Sequence, residues 1–85
     1  MAMRYAYILQ SEKDPSVFYH GFTADVRQRL AVHNSGDNPS TRAMRPWALV
    51  WYGAFASEEL AHDFERYLKT ASGKAFARKR LLPKE

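Results

Sequence analysis

The sequence contains no cysteine. Disulfides, thiolate metal sites and a cysteine nucleophile are therefore excluded, and a reducing compartment is the default. No apolar run approaches the roughly 18 residues of a membrane span. The start, Met1-Ala2-Met3-Arg4-Tyr5, lacks the apolar segment of a signal peptide. These absences lead us to expect a cytoplasmic protein with no membrane partner. Glycine is scarce, at four residues, and no Gly-rich phosphate loop, His-x-x-x-His pair or Gly-x-Ser-x-Gly turn occurs. Acid is missing from two long stretches. Asn38 to Ser57 carries two arginines and no acid, and Lys74 to Lys84 carries five basic residues and no acid.

What is present describes an ordinary globule. The 85 residues fit one domain, 1–85, and hydrophobic residues at 46% with charged residues at 26% are not those of a disordered chain. A chain this short buries only about 60–65% of its extended surface, so its core is thin. Thirteen Lys and Arg against nine Asp and Glu leave a net charge of +4, and the pI is about 9.6. A basic, patchy surface suits a polyanion such as nucleic acid. It also suits helix ends, where the dipole favours cations.

Hydrophobic pattern and turn chemistry give the element order. Arg4 to Leu9 reads as a strand, Ser11 to Ser16 as a turn punctuated by Pro15, and Val17 to Gly21 as a second strand closing an antiparallel hairpin. Alternation puts Tyr5, Tyr7 and Leu9 on one face and sets Phe18 and His20 opposite Val17, Tyr19 and Gly21. Thr23 or Asp25 caps a helix that runs to about Asn34 and stops at Ser35-Gly36. Val26 and Leu30 form its apolar stripe, and Arg29 and His33 share a face at i,i+4. After a polar loop, Asp37 to Arg45, the run Pro46 to Phe55 is apolar on both alternating faces and reads as a strand covered on both sides. Ser57 caps the next helix, where Leu60, Ala61, Phe64 and Leu68 form the core face and Glu65 lies at its margin. Ser72-Gly73 breaks that helix and starts a last one, Lys74 to Leu82. The expectation is a mixed α/β (α+β) fold: a three-stranded, mainly antiparallel sheet flanked by helices.

Singly, the chemical residues have plain readings. Tyr7 and Tyr19 read as sheet-packing aromatics. Arg29 and Glu65 read as surface helix residues, and His33 as a residue that suits a helix end. His20 and His62 read as structural or exposed, and Trp47 and Trp51 as core. As an ordered set they say more. Tyr5-Ala6-Tyr7, Tyr19-His20-Gly21, Thr23 to Leu30, His33-Asn34-Ser35-Gly36, Arg45-Pro46-Trp47, Leu49 to Tyr52, Phe55-Ala56-Ser57, Glu65, Leu68-Lys69 and Ser72 to Phe76 together resemble the GIY-YIG nuclease domain. The likeness runs from about Arg4 to Leu82. It is nearest to the small stand-alone members, which resemble the amino-terminal nuclease domain of a bacterial excision-repair enzyme.

The resemblance implies a metal-dependent endonuclease acting on DNA, structure-selective and related to repair or recombination. RNA stays open as a substrate. It implies Tyr7, Tyr19, Arg29 and His33 as catalytic residues, Glu65 as the holder of a divalent metal, and Gly21 as the glycine of the second signature. Two departures stand out. The first signature has Tyr5 and Ala6 before Tyr7 and lacks its glycine, and the second has His20 where a branched aliphatic is usual. The late asparagine of some relatives has no assigned counterpart.

The chemistry suits these residue types. A hard cation, Mg²⁺ or Mn²⁺, keeps several waters and needs only one or two protein carboxylates. Arg29 would hold a phosphate oxygen. Tyr7 is the candidate base acting on water, its pKa of about 10 brought down by the charge of Arg29 and the metal. Arg42, Arg45, Lys74, Arg78, Lys79 and Arg80 would grip phosphates without reading sequence, leaving target choice to DNA shape or a protein partner. The competing reading is a nucleic-acid-binding module that does not cut, or cuts only with a partner.

Overall fold

A computed structural model describes residues 2–83 of the chain. Lys84, at the end of the basic C-terminal stretch, and the ends of the expected 1–85 domain lie outside the described residues. The elements follow the expected order: β1 (Arg4–Ser11), β2 (Phe18–Thr23), α1 (Val26–Ser35), a 3₁₀ turn (Arg42–Met44), β3 (Trp47–Phe55), α2 (Glu58–Leu68) and α3 (Ala71–Arg80). The sheet order is β2-β1-β3. Both pairings are antiparallel, and the register shifts between Ile8 and Leu9 on the β3 side.

This order puts the first strand in the middle. Ala6, Tyr7, Ile8 and Leu9 are all buried, so β1 is the strand covered on both faces. The expected two-sided cover of the apolar run of β3 is met in part. There only Trp47 is buried, and Tyr52 is 57% exposed. β3 still sends side chains to both faces, Leu49 toward Tyr7 and Leu9 and Val50 with Trp51 toward Ile8, but these are only partly buried.

Alternation along β1 divides the core in two. Tyr7 and Leu9 join Trp47 on one face, with Tyr19 and Leu30 packed against them. Ile8 faces the other way, into a cluster with Leu68 of α2 and Ala77 of α3, flanked by Phe18, Trp51 and Phe64. Helix α1 thus covers one face and α2 with α3 the other. The core is thin, as the length requires, and truncating a fully buried side chain such as Leu68 to alanine should cost about 2–5 kcal/mol.

Caps set the helix bounds. Of the two candidates before α1, Asp25 is the cap: its side chain accepts from the Gln28 amide, 3.0 Å away. Gly36 closes the helix with φ of 87°, the left-handed conformation that glycine adopts at least cost. Ser57 caps α2 as expected.

Two expectations about α2 and α3 are corrected. Leu60 is 50% exposed and lies outside the core face that Ala61 and Leu68 form. Ser72-Gly73 does not break the helix. Thr70 caps α3 by accepting from the Gly73 amide, 3.0 Å away, so both residues sit in the first turn. A side chain at Gly73 would run into the Tyr67 carbonyl. The glycine there serves the close approach of two helices rather than a chain break.

Candidate active site

Antiparallel pairing of β1 with β2 sets Tyr7 opposite Gly21 and Leu9 opposite Tyr19. Gly21 has no side chain, and the Tyr7 ring fills that space; a Cβ on Gly21 would collide with the Tyr7 hydroxyl. The hydroxyl therefore reaches across β2, which is an edge strand. Helix α1 brings His33 down onto the same place. His33 Nε2 lies 3.0 Å from the Tyr7 hydroxyl, and its ring centroid lies 4.7 Å from that of Tyr19. The tyrosine rings are 6.5 Å apart.

The far side of the imidazole is also held. His33 Nδ1 lies 2.9 Å from Thr41 Oγ1, and the Thr41 hydroxyl points at the Asn38 carbonyl, 3.4 Å away. With the threonine proton given to Asn38, Thr41 accepts from Nδ1–H. That leaves Nε2 free to accept from the Tyr7 hydroxyl. Thr41 is buried and held in turn, because Trp47 Nε1 donates to its carbonyl at 2.9 Å. Asn34 clamps the start of β3: its Oδ1 accepts from the Trp47 amide at 2.6 Å, and its Nδ2 donates to the Trp47 carbonyl at 3.0 Å.

Burial and charge set the protonation of this group. Burial pushes the Tyr7 pKa above its usual 10. The Arg29 guanidinium beside it pulls the other way and loses. The expectation joined Arg29 to a metal's charge; Arg29 by itself does not bring Tyr7 below its usual value, because desolvation of the phenolate outweighs one arginine. His33 is pushed below its ordinary value, first by burial and then by the charge of Arg29. Both groups are thus held neutral, as the hydrogen-bond order requires.

Glu65 comes from α2, which packs against β1 and β2. It is only 4% exposed, a rare state for a carboxylate. Its partners are cations or a potential cation: Lys69 Nζ at 2.5 Å and His62 Nε2 at 3.9 Å. His62 stacks on Phe22 of β2 with ring centroids 4.4 Å apart, which ties this turn of α2 to the edge strand. The charge of Glu65 is felt at Tyr7 on one side of β2 and at His20 on the other.

Among the described residues, no three His, Cys, Asp or Glu side chains gather into a metal site. That donor set does not suit zinc, which asks for three or four protein ligands. One buried carboxylate bordered by an exchangeable lysine does suit a hydrated hard cation, which draws most of its ligands from water and substrate.

The structure gives four of the six cations expected to grip phosphate a definite setting. Arg42 and Arg45 hold the loop after α1: Arg42 Nε donates to the Gly36 carbonyl at 2.8 Å, and Arg45 Nε donates to the Arg42 carbonyl at 3.0 Å. Lys74 and Arg78 line a groove between β2 and α3, whereas Lys79 and Arg80 do not line it. Thr41, Asn34 and Lys69 have no role that the sequence alone assigns. The Glu65–Lys69 spacing of i,i+4 is a readable signal. A threonine buried in a polar loop has none.

The GIY-YIG catalytic domain matches residues 3–80. The chain belongs to the GIY-YIG family of nuclease domains. A UPF0213 protein of Streptococcus pneumoniae serotype 4 is 46% identical over 66 residues, covering 76% of this chain and 65% of the relative. The matched segment thus spans just under two thirds of that relative's length. A UPF0213 protein of Streptococcus pyogenes serotype M5 is 36% identical over 70 residues, covering 81% of this chain and 76% of the relative. The solution NMR structure of a UPF0213 protein from Bacillus halodurans superposes with a TM-score of 0.54 at 32% identity, covering 91% of this chain and 83% of that one. This GIY-YIG chain therefore shares its fold with the small stand-alone members. Among its described residues, no helix is long and apolar enough to cross a membrane.

Proposed function

We propose that this GIY-YIG chain is a metal-dependent endonuclease that hydrolyses phosphodiester bonds in DNA, within the cytoplasm, on structures that arise in repair or recombination. One observation carries the reading. A neutral Tyr7–His33 pair lies beside Arg29 and within reach of the charge of a buried Glu65 that is itself bordered by cations. A domain that only bound nucleic acid would gain nothing from a buried carboxylate next to bound phosphate, since like charges repel unless a cation bridges them.

Each residue has a step. Arg29 holds a non-bridging phosphate oxygen by charge-assisted hydrogen bonds and stabilises charge as it builds. Tyr7 stays protonated at rest. As water attacks phosphorus, the Tyr7 oxygen takes a proton from that water while its own proton passes to His33 Nε2. Neither phenolate nor imidazolium need exist beforehand, which resolves the raised pKa of Tyr7. Tyr19, beside the imidazole, orients the water. Glu65 would hold Mg²⁺ or Mn²⁺, exchanging Lys69 for it. Bound there, the metal supplies charge neutralisation on the phosphate and for the departing 3′-oxygen. Lys74 and Arg78 contribute phosphate contacts.

The test is cleavage of labelled duplex, nicked, flapped and branched DNA and of one RNA, with and without Mg²⁺ or Mn²⁺, with Glu65→Ala alongside. Metal-dependent cutting that the variant lacks is the expected result. Salt-sensitive binding with no cutting in any lane would replace this reading with a binding module.

A further inference from the structure

On the other face of β2 from Tyr19 lies a groove of about 590 Å³. Phe18 of β2 and Leu82 after α3 give it apolar lining, and Lys69, Lys74 and Arg78 give it cations. His20 lines it too, the one position where the second signature departs from its usual branched aliphatic. No acidic residue lines the groove, and among the described residues neither Lys74 nor Arg78 has a carboxylate partner. Lys74 and Arg78 are one turn apart on α3, so both point along the same wall. Lys69 belongs to the groove and to Glu65 at once, which joins the groove to the proposed metal site.

We propose that this groove holds an unpaired nucleotide of the DNA strand being cut, next to the scissile bond. The inference rests on the nuclease reading for the identity of the ligand, and it narrows the substrate to DNA with a single-stranded flank. A volume of this order is that of a small-molecule pocket. Cations beside apolar and aromatic lining match a phosphate joined to a base. A duplex offers phosphates and base edges but keeps its base faces stacked inside, so Phe18 would have no partner. An unpaired nucleotide offers both phosphate and ring face. His20 is held neutral by burial and by the charges of Lys69 and Lys74, against a pull from Glu65. It therefore presents one donor and one acceptor to the base rather than another positive charge.

The test uses 5′-phosphorylated (dT)4 with a 3′ fluorophore, with anisotropy read in EDTA at several salt concentrations. The double variant Lys74→Met/Arg78→Met should bind at least about tenfold more weakly. Its salt slope should flatten by about 1.4, two contacts at about 0.7 each for a single strand. His20→Val, which restores the usual residue type, should weaken binding roughly fivefold, the worth of one hydrogen bond, with the slope unchanged. Unchanged affinity and slope in the double variant would overturn the proposal. So would a blunt hairpin duplex that displaces (dT)4 as well as unlabelled (dT)4 does. The outcome separates from that of the nuclease reading because no cutting is measured. A protein that cuts DNA but shows no effect of the groove variants loses only the groove, and one that binds through the groove but never cuts loses only the nuclease.

Discussion

The Tyr7 hydroxyl lies 3.0 Å from His33 Nε2, although 26 residues separate them in the chain. The contact needs a strand, a helix and a missing side chain at once. β1 aims the ring across β2, Gly21 leaves the space, and α1 lowers the imidazole onto the hydroxyl. Both partners are buried and neutral, so the pair can pass a proton in either direction without a charge held in the resting site.

Removing the hydroxyl should separate chemistry from fold. Tyr7→Phe keeps the ring but leaves His33 Nε2 without its partner. We expect cleavage to fall by about 10²-fold or more, with a stability loss of about 1–3 kcal/mol for the unpaired nitrogen. Single-turnover cleavage and urea melts measure the two. A variant that cuts normally, or one that is unfolded at 25 °C, would leave Tyr7 a packing residue.

Thr41 should matter through the tautomer of His33. Thr41→Val keeps the shape but removes the acceptor for Nδ1–H. The proton is then free to move to Nε2, where it blocks acceptance from Tyr7. Cleavage should drop at least about tenfold, the low end for a group supporting a catalytic histidine, while Thr41→Ser keeps most of it. The ¹⁵N shifts of the His33 ring report the tautomer directly. An unchanged tautomer in Thr41→Val would reduce Thr41 to packing.

Gly21→Ala tests the space that Tyr7 occupies. The added methyl meets the hydroxyl, so the ring must move or the strands part. Overpacking of this kind costs about 1–3 kcal/mol. Activity should fall with it, even under conditions where the fold persists by circular dichroism. Full activity would mean that the position of Tyr7 in the site is not critical.

Stability should decline on mild acidification. The His33 pKa is lowered in the folded chain by burial and by Arg29. The unfolded chain, with a histidine pKa of about 6.5, takes up its proton first. The contribution of the neutral imidazole is thus complete above about pH 6.5 and is lost as pH falls below it, by at most about 1.4 kcal/mol per pH unit for one proton. Denaturant melts from pH 7.5 to 5.0 should show this slope, to which the likewise depressed His20 adds its own, so His33→Gln should reduce it without abolishing it. A His33 ring that titrates at or above 6.5 by NMR would contradict the burial argument.

Local signals made much of the fold legible. The hairpin, the Ser57 cap and the glycine stop at Gly36 depend on residues a few positions apart, and the chain shows them directly. Long-range pairing was hidden. Nothing in the apolar run Trp47 to Phe55 says that it lies at the edge of the sheet, so the pattern predicts deeper burial than the partial cover it has on its two faces. Ser72-Gly73 looks like a break because a close helix contact and a chain stop ask for the same residue. The signature residues of the site could be matched in order, but their energetics could not. The raised pKa of Tyr7 depends on burial that only the folded chain supplies. The support of His33 by Thr41 depends on where an irregular loop happens to return.

Glu65 gives the most direct measurement, because it should separate cutting from binding. Wild type and Glu65→Gln would be compared on one flapped DNA, with binding read in EDTA and cleavage read after adding Mg²⁺. The nuclease reading predicts that the variant binds at least as tightly, having lost a negative charge beside phosphate, and cuts at least about 10²-fold more slowly, as expected when metal-borne charge stabilisation is lost. A Glu65→Gln protein that cuts at the wild-type rate would contradict it.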